Sequence, residues 1–167
     1  MKNNLYYPQV SLSDKEIFAE IKKEREVIGY YSLPYVDTTV LKTRLDDLNF
    51  PQKQIAIIGI GGSTLGTYAI YNFMKYNKQH NKSLKKELFF FESTDPVNLN
   101  GTLAQLNLSD TLFIVISKSG TTIETISIFK YLMSITKIDK SNLLVITEDD
   151  SKLNTFAKAN DVNTFDI

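Results

Sequence analysis

Cysteine is absent from all 167 residues. That removes disulfides, iron–sulfur clusters, cysteine nucleophiles and cysteine-bound zinc, and it fits a reducing compartment such as the cytoplasm. Histidine occurs once, as His80 in the polar stretch 76–85. A metal site built on several imidazoles therefore cannot form within one chain, and a Ser–His–Asp triad would depend on that single residue. No metal and no cofactor is expected. An excess of one charge is missing too: 19 Lys and Arg balance 19 Asp and Glu. Nucleic-acid binders show a basic excess, so that partner class is set aside. The basic clusters at Lys75–Lys86 and at Lys22 and Lys23 read as solvated helix ends and loops. No apolar run is long enough to cross a membrane. The opening residues, with Lys2 leading into Tyr6, Tyr7 and Pro8, do not have the pattern of a signal peptide.

What remains is the composition of an ordinary soluble domain, 43% hydrophobic and 23% charged. Four short, nearly continuous apolar runs stand out: 54–59 (QIAIIG), 87–91 (ELFFF), 111–116 (TLFIVI) and 142–146 (NLLVI). Runs without strict alternation suit strands buried on both faces of a parallel sheet. Residues 162–165 are a fifth candidate. Between the runs lie helical spacings: Leu65, Ala69, Ile70, Phe73 and Met74, then Ile126, Phe129, Leu132 and Met133, with shorter candidates at 97–106 and 153–159. Strands alternating with helices imply right-handed crossovers and a doubly wound α/β sheet. The first fifty residues differ. Ser13 with Glu16 has the spacing of a capping box, followed by an apolar stripe at Ile17, Phe18, Ile21, Val27 and Ile28; a second short helix is expected over 39–48. Residues 1–50 therefore read as a helical arm packed on a sheet domain spanning 51–167.

The first strand runs straight into Ile60-Gly61-Gly62-Ser63-Thr64-Leu65-Gly66. Closely spaced glycines let the backbone turn sharply and approach a ligand, and the helix that follows points free N–H groups at that turn, so an anion is the natural guest. The dinucleotide fingerprint needs Gly or Ala where Thr64 stands, and its acidic residue is misplaced, Glu92 being the nearest at a strand end. The nucleotide P-loop needs Lys and then Ser or Thr after its second glycine, whereas Thr67 and Tyr68 follow Gly66. Both nucleotide readings fail on named residues. Alone, the cluster is equally a tight strand–helix turn without a ligand.

A second turn follows the third strand: Ser117-Lys118-Ser119-Gly120-Thr121-Thr122-Ile123-Glu124-Thr125. Hydroxyls donate to phosphate oxygens without adding charge, and Gly120 frees the backbone to join in. Thr121 with Glu124 also matches a capping box, which accounts for those two residues but not for Ser117, Ser119 and Gly120. Glu92 and Asp95 read as turn and helix-start residues, Asp95-Pro96 having the look of an N-cap followed by proline at the first helical position.

Together, Gly59-Ile60-Gly61-Gly62-Ser63-x-Leu65-Gly66 and Ser117-Lys118-Ser119-Gly120-Thr121-Thr122-x-Glu124-Thr125 resemble the two signature turns of the glucose-6-phosphate isomerase family, and the stretch 98–113 is similar to the segment between them. The resemblance covers about residues 55–167. It implies a flavodoxin-like, doubly wound sugar-isomerase (SIS) domain with a parallel five-stranded sheet, and interconversion of glucose 6-phosphate and fructose 6-phosphate in glycolysis and gluconeogenesis without metal or cofactor. It implies that Gly62 and Ser63 contact the sugar and that Ser117, Lys118, Ser119, Gly120, Thr121 and Thr122 hold the phosphate. It gives Glu124 a supporting role beside the ring-opening histidine. The family's arginine motif, glutamate base, catalytic histidine and C-terminal lysine are not identifiable here, so the expectation is an N-terminal portion inactive by itself, from a full-length protein that is a homodimer. The alternative is a non-catalytic SIS domain that senses a sugar phosphate.

Overall fold

The computed structural model describes residues 13–25, 27–76 and 85–167; His80 lies outside them. The chain divides into two compact units, Met1–Asn49 and Phe50–Ile167.

The first unit is helical. Helix α1 (Asp14–Glu24) opens on the expected capping box: the Ser13 hydroxyl accepts from the Glu16 N–H, and the Glu16 carboxylate accepts from the Ser13 N–H. The apolar stripe does not continue as foreseen. The helix ends at Glu24 with Arg25 as its cap, so Val27 and Ile28 lie beyond it, where their N–H groups close a turn onto the Glu24 carbonyl. Two β-branched residues before a glycine continue a helix poorly. A 3₁₀ segment, Gly29–Tyr35, leads to α2 (Thr39–Leu48), closed by Asn49 in a left-handed conformation.

The second unit is one parallel sheet. Strands β1 (Gln54–Ile58), β2 (Glu87–Phe91), β3 (Thr111–Ile116), β4 (Leu143–Ile146) and β5 (Asn163–Phe165) lie in the order β2-β1-β3-β4-β5. Helices α3 (Leu65–Tyr76), α4 (Pro96–Leu103), α5 (Ile123–Ile135) and α6 (Lys152–Ala159) connect them. One sheet face, with Ala56, Ile58, Phe91, Phe113, Val115, Leu143 and Val145, forms a single core with Leu99 of α4, Ile128, Phe129 and Leu132 of α5, and Leu153 and Ala157 of α6. Right-handed crossovers explain the grouping: the chain steps one way from β1 to β2 and the other way in every later crossover, so α3 falls on the opposite face. There the Tyr71 hydroxyl accepts from the Leu88 N–H at 3.3 Å, and Tyr68 meets Phe90 edge-on at 4.8 Å between ring centres. Tyr71 is the buried residue of α3; Ile70 and Phe73, two of the residues at helical spacing, are exposed, and the helix meets the sheet through Tyr68 and Tyr71.

Asp95 caps α4 by accepting from the Val97 and Asn98 N–H groups, with Pro96 at the first helical position, as its sequence foretold. Lys86 is no solvated loop lysine. Half-buried, its ammonium donates to the Phe50 and Gln52 carbonyls at 2.7 and 2.6 Å and ties the approaches to β1 and β2 together. Among the described residues no helix is long and apolar enough to cross a membrane.

The turn into β4 carries a pH-sensitive contact. The Asp139 carboxylate accepts from the Ser141 hydroxyl at 2.6 Å and the Ser141 N–H at 2.9 Å, and the hydroxyl, the amide and nearby Lys137 lower its pKa to about 2. A carboxyl depressed in the folded state holds its contact above its ordinary value and gives it up as pH falls through the lowered one. The Ser141 amide resonance is therefore expected to stay fixed down to the usual carboxylate range and to move only as pH approaches about 2. Movement centred at pH 4 or above would contradict that.

Candidate functional site

The sheet order decides where a ligand can sit. β1 and β3 are direct neighbours, Ile58 opposite Val115, yet the helices that follow them lie on opposite faces. Ligands of open α/β sheets bind at such a reversal, beyond the carboxyl ends of the strands. The two turns picked out by sequence follow these two strands and no others.

The glycine turn is a short 3₁₀ piece, Gly61–Ser63, running into α3. Gly61 has φ +59°, in the left-handed region, and no neighbouring atom lies within 4 Å of where its Cβ would be. Gly62 is exposed and Ser63 half-buried, both accessible to a ligand. Gly59 is tight instead: a Cβ would lie 3.1 Å from the Ile116 carbonyl oxygen and 3.1 Å from the Thr64 methyl. Thr64, the residue that spoils the dinucleotide fingerprint, is wholly buried, and its hydroxyl donates to the Glu92 carboxylate at the end of β2. Glu92 is thus tied to the glycine turn by a side-chain contact across 28 residues, which no local spacing reveals.

In the hydroxyl-rich turn Ser117 is buried and its hydroxyl donates to the Thr122 hydroxyl oxygen at 3.2 Å. The Ser119 hydroxyl oxygen accepts from the Thr121 N–H at 3.3 Å and from the Thr121 hydroxyl at 3.1 Å. Thr122 and Ser119 are thereby acceptors inside the loop, which leaves each with its own hydroxyl proton to give outward. Gly120, at φ +64°, turns the chain toward α5, whose first helical hydrogen bond is the Ile126 N–H onto the Thr122 carbonyl at 3.0 Å. The amides of the first helical turn precede that bond and have no partner within the helix. Lys118 is exposed and its ammonium lies 3.6 Å from Glu148; a solvated pair of this kind is worth little and is readily exchanged for a ligand.

The expected capping box is not there. Thr122 is the N-cap and makes no side-chain capping bond, so Glu124 falls one position too early to answer it, while Thr121 bonds to Ser119. Gly120 sets the frame, and the spacing Thr121-x-x-Glu124 is a coincidence of a threonine-rich stretch. Glu124 is exposed at the start of α5. Sequence reasoning left Thr125 unassigned. Its side chain is wholly buried and its hydroxyl has no hydrogen-bond partner. No group of three or more His, Cys, Asp or Glu among the described residues could hold a metal ion.

The comparisons with known proteins bear on the same residues. The phosphoglucose isomerase family matches residues 51–159. A glucose-6-phosphate isomerase of Campylobacter jejuni is 35% identical over an alignment covering 92% of this chain and 39% of that protein. One from Carboxydothermus hydrogenoformans is 30% identical, covering 87% and 34%. The chain thus spans well under half the length of these relatives. Among solved structures, a hypothetical protein of Thermus thermophilus superposes over 92% of this chain with a TM-score of 0.67 at 25% identity, covering 37% of that chain. A Chlamydia trachomatis glucose-6-phosphate isomerase superposes over 96% with a TM-score of 0.60 at 24% identity, likeness in fold alone. The family match takes in both turns, the reversal between them and well over half of the sequence, and on that ground the chain belongs to the phosphoglucose isomerase family.

Proposed function

We propose that this chain supplies the phosphate-binding part of a glucose-6-phosphate isomerase, residues 51–167 being the binding domain and 1–50 an arm. Gly62 and Ser63 contact the sugar. Ser117, Lys118, Ser119, Gly120, Thr121 and Thr122 hold the phosphate of glucose 6-phosphate or fructose 6-phosphate, and Glu124 supports ring opening. The observation that carries the reading is the pair of hydroxyls, Ser119 and Thr122, each accepting a bond within the turn and so free to donate out of it.

The chemistry suits the substrate. A phosphate dianion at the N-terminus of α5 is favoured by the helix dipole and the first-turn amides. Hydroxyl donors add directional bonds without the charge that would slow release. Interconverting an aldose and a ketose needs a base to carry a proton between adjacent carbons and an acid to open the ring. The proposed part of this domain is to hold the phosphate end still so that the reacting carbons are placed within reach of such groups. No cofactor is invoked. Dimerisation of the full-length enzyme and action in the cytoplasm belong to the same proposal.

Titration calorimetry of the chain with fructose 6-phosphate tests it. Ser119→Ala and Thr122→Ala are each expected to remove one hydrogen bond to a charged group, about 1.5–3 kcal/mol, or roughly ten- to hundredfold in Kd. Ser119→Ala is expected to move the melting temperature little, because Ser119 is exposed; Thr122→Ala also takes the acceptor from the buried Ser117 hydroxyl and is expected to lower it by a few degrees. Saturable binding unchanged by both substitutions would place the phosphate elsewhere, and tight binding of NADH would revive the nucleotide reading.

A further inference from the structure

We propose that Thr147, at the end of β4, is a positioning residue for the phosphate turn: its hydroxyl draws the Ser117 carbonyl inward and so aims the next amide at the ligand. The proposal rests on the phosphate reading above and extends it to a residue outside both signature turns.

Thr147 is buried, and its hydroxyl oxygen lies 2.6 Å from the Ser117 carbonyl oxygen, 3.3 Å from the Lys118 carbonyl oxygen and 2.8 Å from the Ser151 hydroxyl oxygen. A hydroxyl has one proton to give. A carbonyl has none, so the short contact to Ser117 requires Thr147 to be the donor. The contact to Ser151 must then run the other way, with Ser151 donating to Thr147. Ser151 is able to do so because its oxygen accepts the Asn154 N–H at 3.0 Å, as the N-cap of α6. The direction of every bond follows: Asn154 N–H to Ser151, Ser151 to Thr147, Thr147 to the Ser117 carbonyl.

The same segment holds the next peptide. The Glu148 N–H donates to the Lys118 carbonyl at 3.1 Å, and the Ser117 N–H donates to the Ile146 carbonyl at 3.0 Å. In a trans peptide the C=O and the following N–H point in opposite directions, and the group is rigid. Pulling the Ser117 and Lys118 carbonyls toward Thr147 and Glu148 therefore turns the Lys118 and Ser119 N–H groups the other way, out of the protein. Successive outward amides make a concave anion-binding surface. The negative ends of both peptide dipoles are held on the far side. Thr147 touches no substrate in this scheme; it acts through the backbone of Ser117.

The test compares Thr147→Val, which keeps the shape and removes the proton, with Thr147→Ser, which keeps the proton. The chain is titrated with inorganic phosphate and with fructose 6-phosphate, and the ¹⁵N–¹H resonances of Lys118 and Ser119 are followed without ligand. Thr147→Val leaves the Ser117 carbonyl the Gly120 N–H, which donates to it at 3.1 Å, but removes its side-chain donor; it is expected to weaken both ligands about tenfold, as when one hydrogen bond is lost, and to shift both amide resonances. Thr147→Ser is expected to restore both readouts. A role in stability alone would lower the melting temperature while folded protein bound phosphate with unchanged Kd; that result overturns the proposal, as does Thr147→Ser behaving like Thr147→Val. Should Thr147→Val fail to fold, Thr147→Ala removes the same proton with less bulk and is read the same way. If the wild-type chain binds neither ligand, the phosphate reading itself falls and this proposal with it, whereas wild-type binding matched by the valine variant sinks this proposal alone.

Discussion

Alanine at position 120 is expected to abolish phosphate binding and to lower the melting temperature by roughly 4–15 °C. Two separate costs meet there. Gly120 has φ +64°, a conformation in which a side chain is strained. The space is also taken: an added Cβ would lie 2.7 Å from the Ser151 Cβ, 2.8 Å from its hydroxyl oxygen and 2.9 Å from the Leu153 nitrogen. The last is backbone at the start of α6 and has nowhere to go. Strain of about 1 kcal/mol and overpacking of about 1–3 kcal/mol give a loss on the order of 2–4 kcal/mol. The functional loss should exceed the stability loss. The chain would relieve the overlap by pushing the proposed phosphate turn away from Ser151, breaking the contacts that fix Ser117 and moving Ser119 and Thr121 with it. Gly61 is the control. Its φ of +59° carries the same strain, but nothing lies within 4 Å of its Cβ position. Gly61→Ala should therefore show the strain cost alone. Equal melting temperatures for the two variants would mean that the α6 contact at Gly120 is not as close as it stands here.

Much of this fold was legible because its signals are local. Buried parallel strands need near-continuous apolar runs, and all five were found, with ends within a residue of those observed: 54–59 against Gln54–Ile58, 142–146 against Leu143–Ile146. The two turns announced themselves through glycine and hydroxyl density at strand ends. What stayed hidden is long-range. No residue of β1 says that its neighbours are β2 and β3, because hydrogen-bond partners of a parallel strand are chosen by the crossovers. The Thr64–Glu92 contact spans 28 residues and the Thr147–Ser117 contact 30, and in each case the distant partner stands among polar residues that read as ordinary loop. The false capping box shows the opposite failure. The pattern was present, but a left-handed glycine one residue earlier fixed where the helix begins, and local spacing could not see that frame.

Phe113→Ala is expected to cost about 3–5 kcal/mol, the range for emptying a buried aromatic site. The ring is fully buried at the middle of β3, the central strand, with Ala56 opposite it on β1 and Leu143 opposite on β4. A small residue beside a large one fills the layer between sheet and helices, so Ala56 leaves room that Phe113 occupies and cannot itself close the gap. Collapse is further hindered because both neighbouring strands are held in register by ladder hydrogen bonds. Set against a total stability of about 5–15 kcal/mol for an ordinary domain, the change removes a large fraction of it. Phe113→Leu keeps most of the volume and should cost less than half as much. Urea unfolding of the two variants measures this: the midpoint should fall far for alanine and modestly for leucine, with the slope unchanged. A loss under about 1 kcal/mol for alanine would refute the packing described. Excess fructose 6-phosphate should recover part of the lost stability, since a ligand that binds only the folded chain adds to its stability by mass action. Ser117 follows directly on β3, so the strand that seats Phe113 also carries the turn proposed to hold the phosphate. A ligand that recovers nothing in the alanine variant while still stabilising wild type would mean that the missing ring had distorted the turn as well as emptied the core.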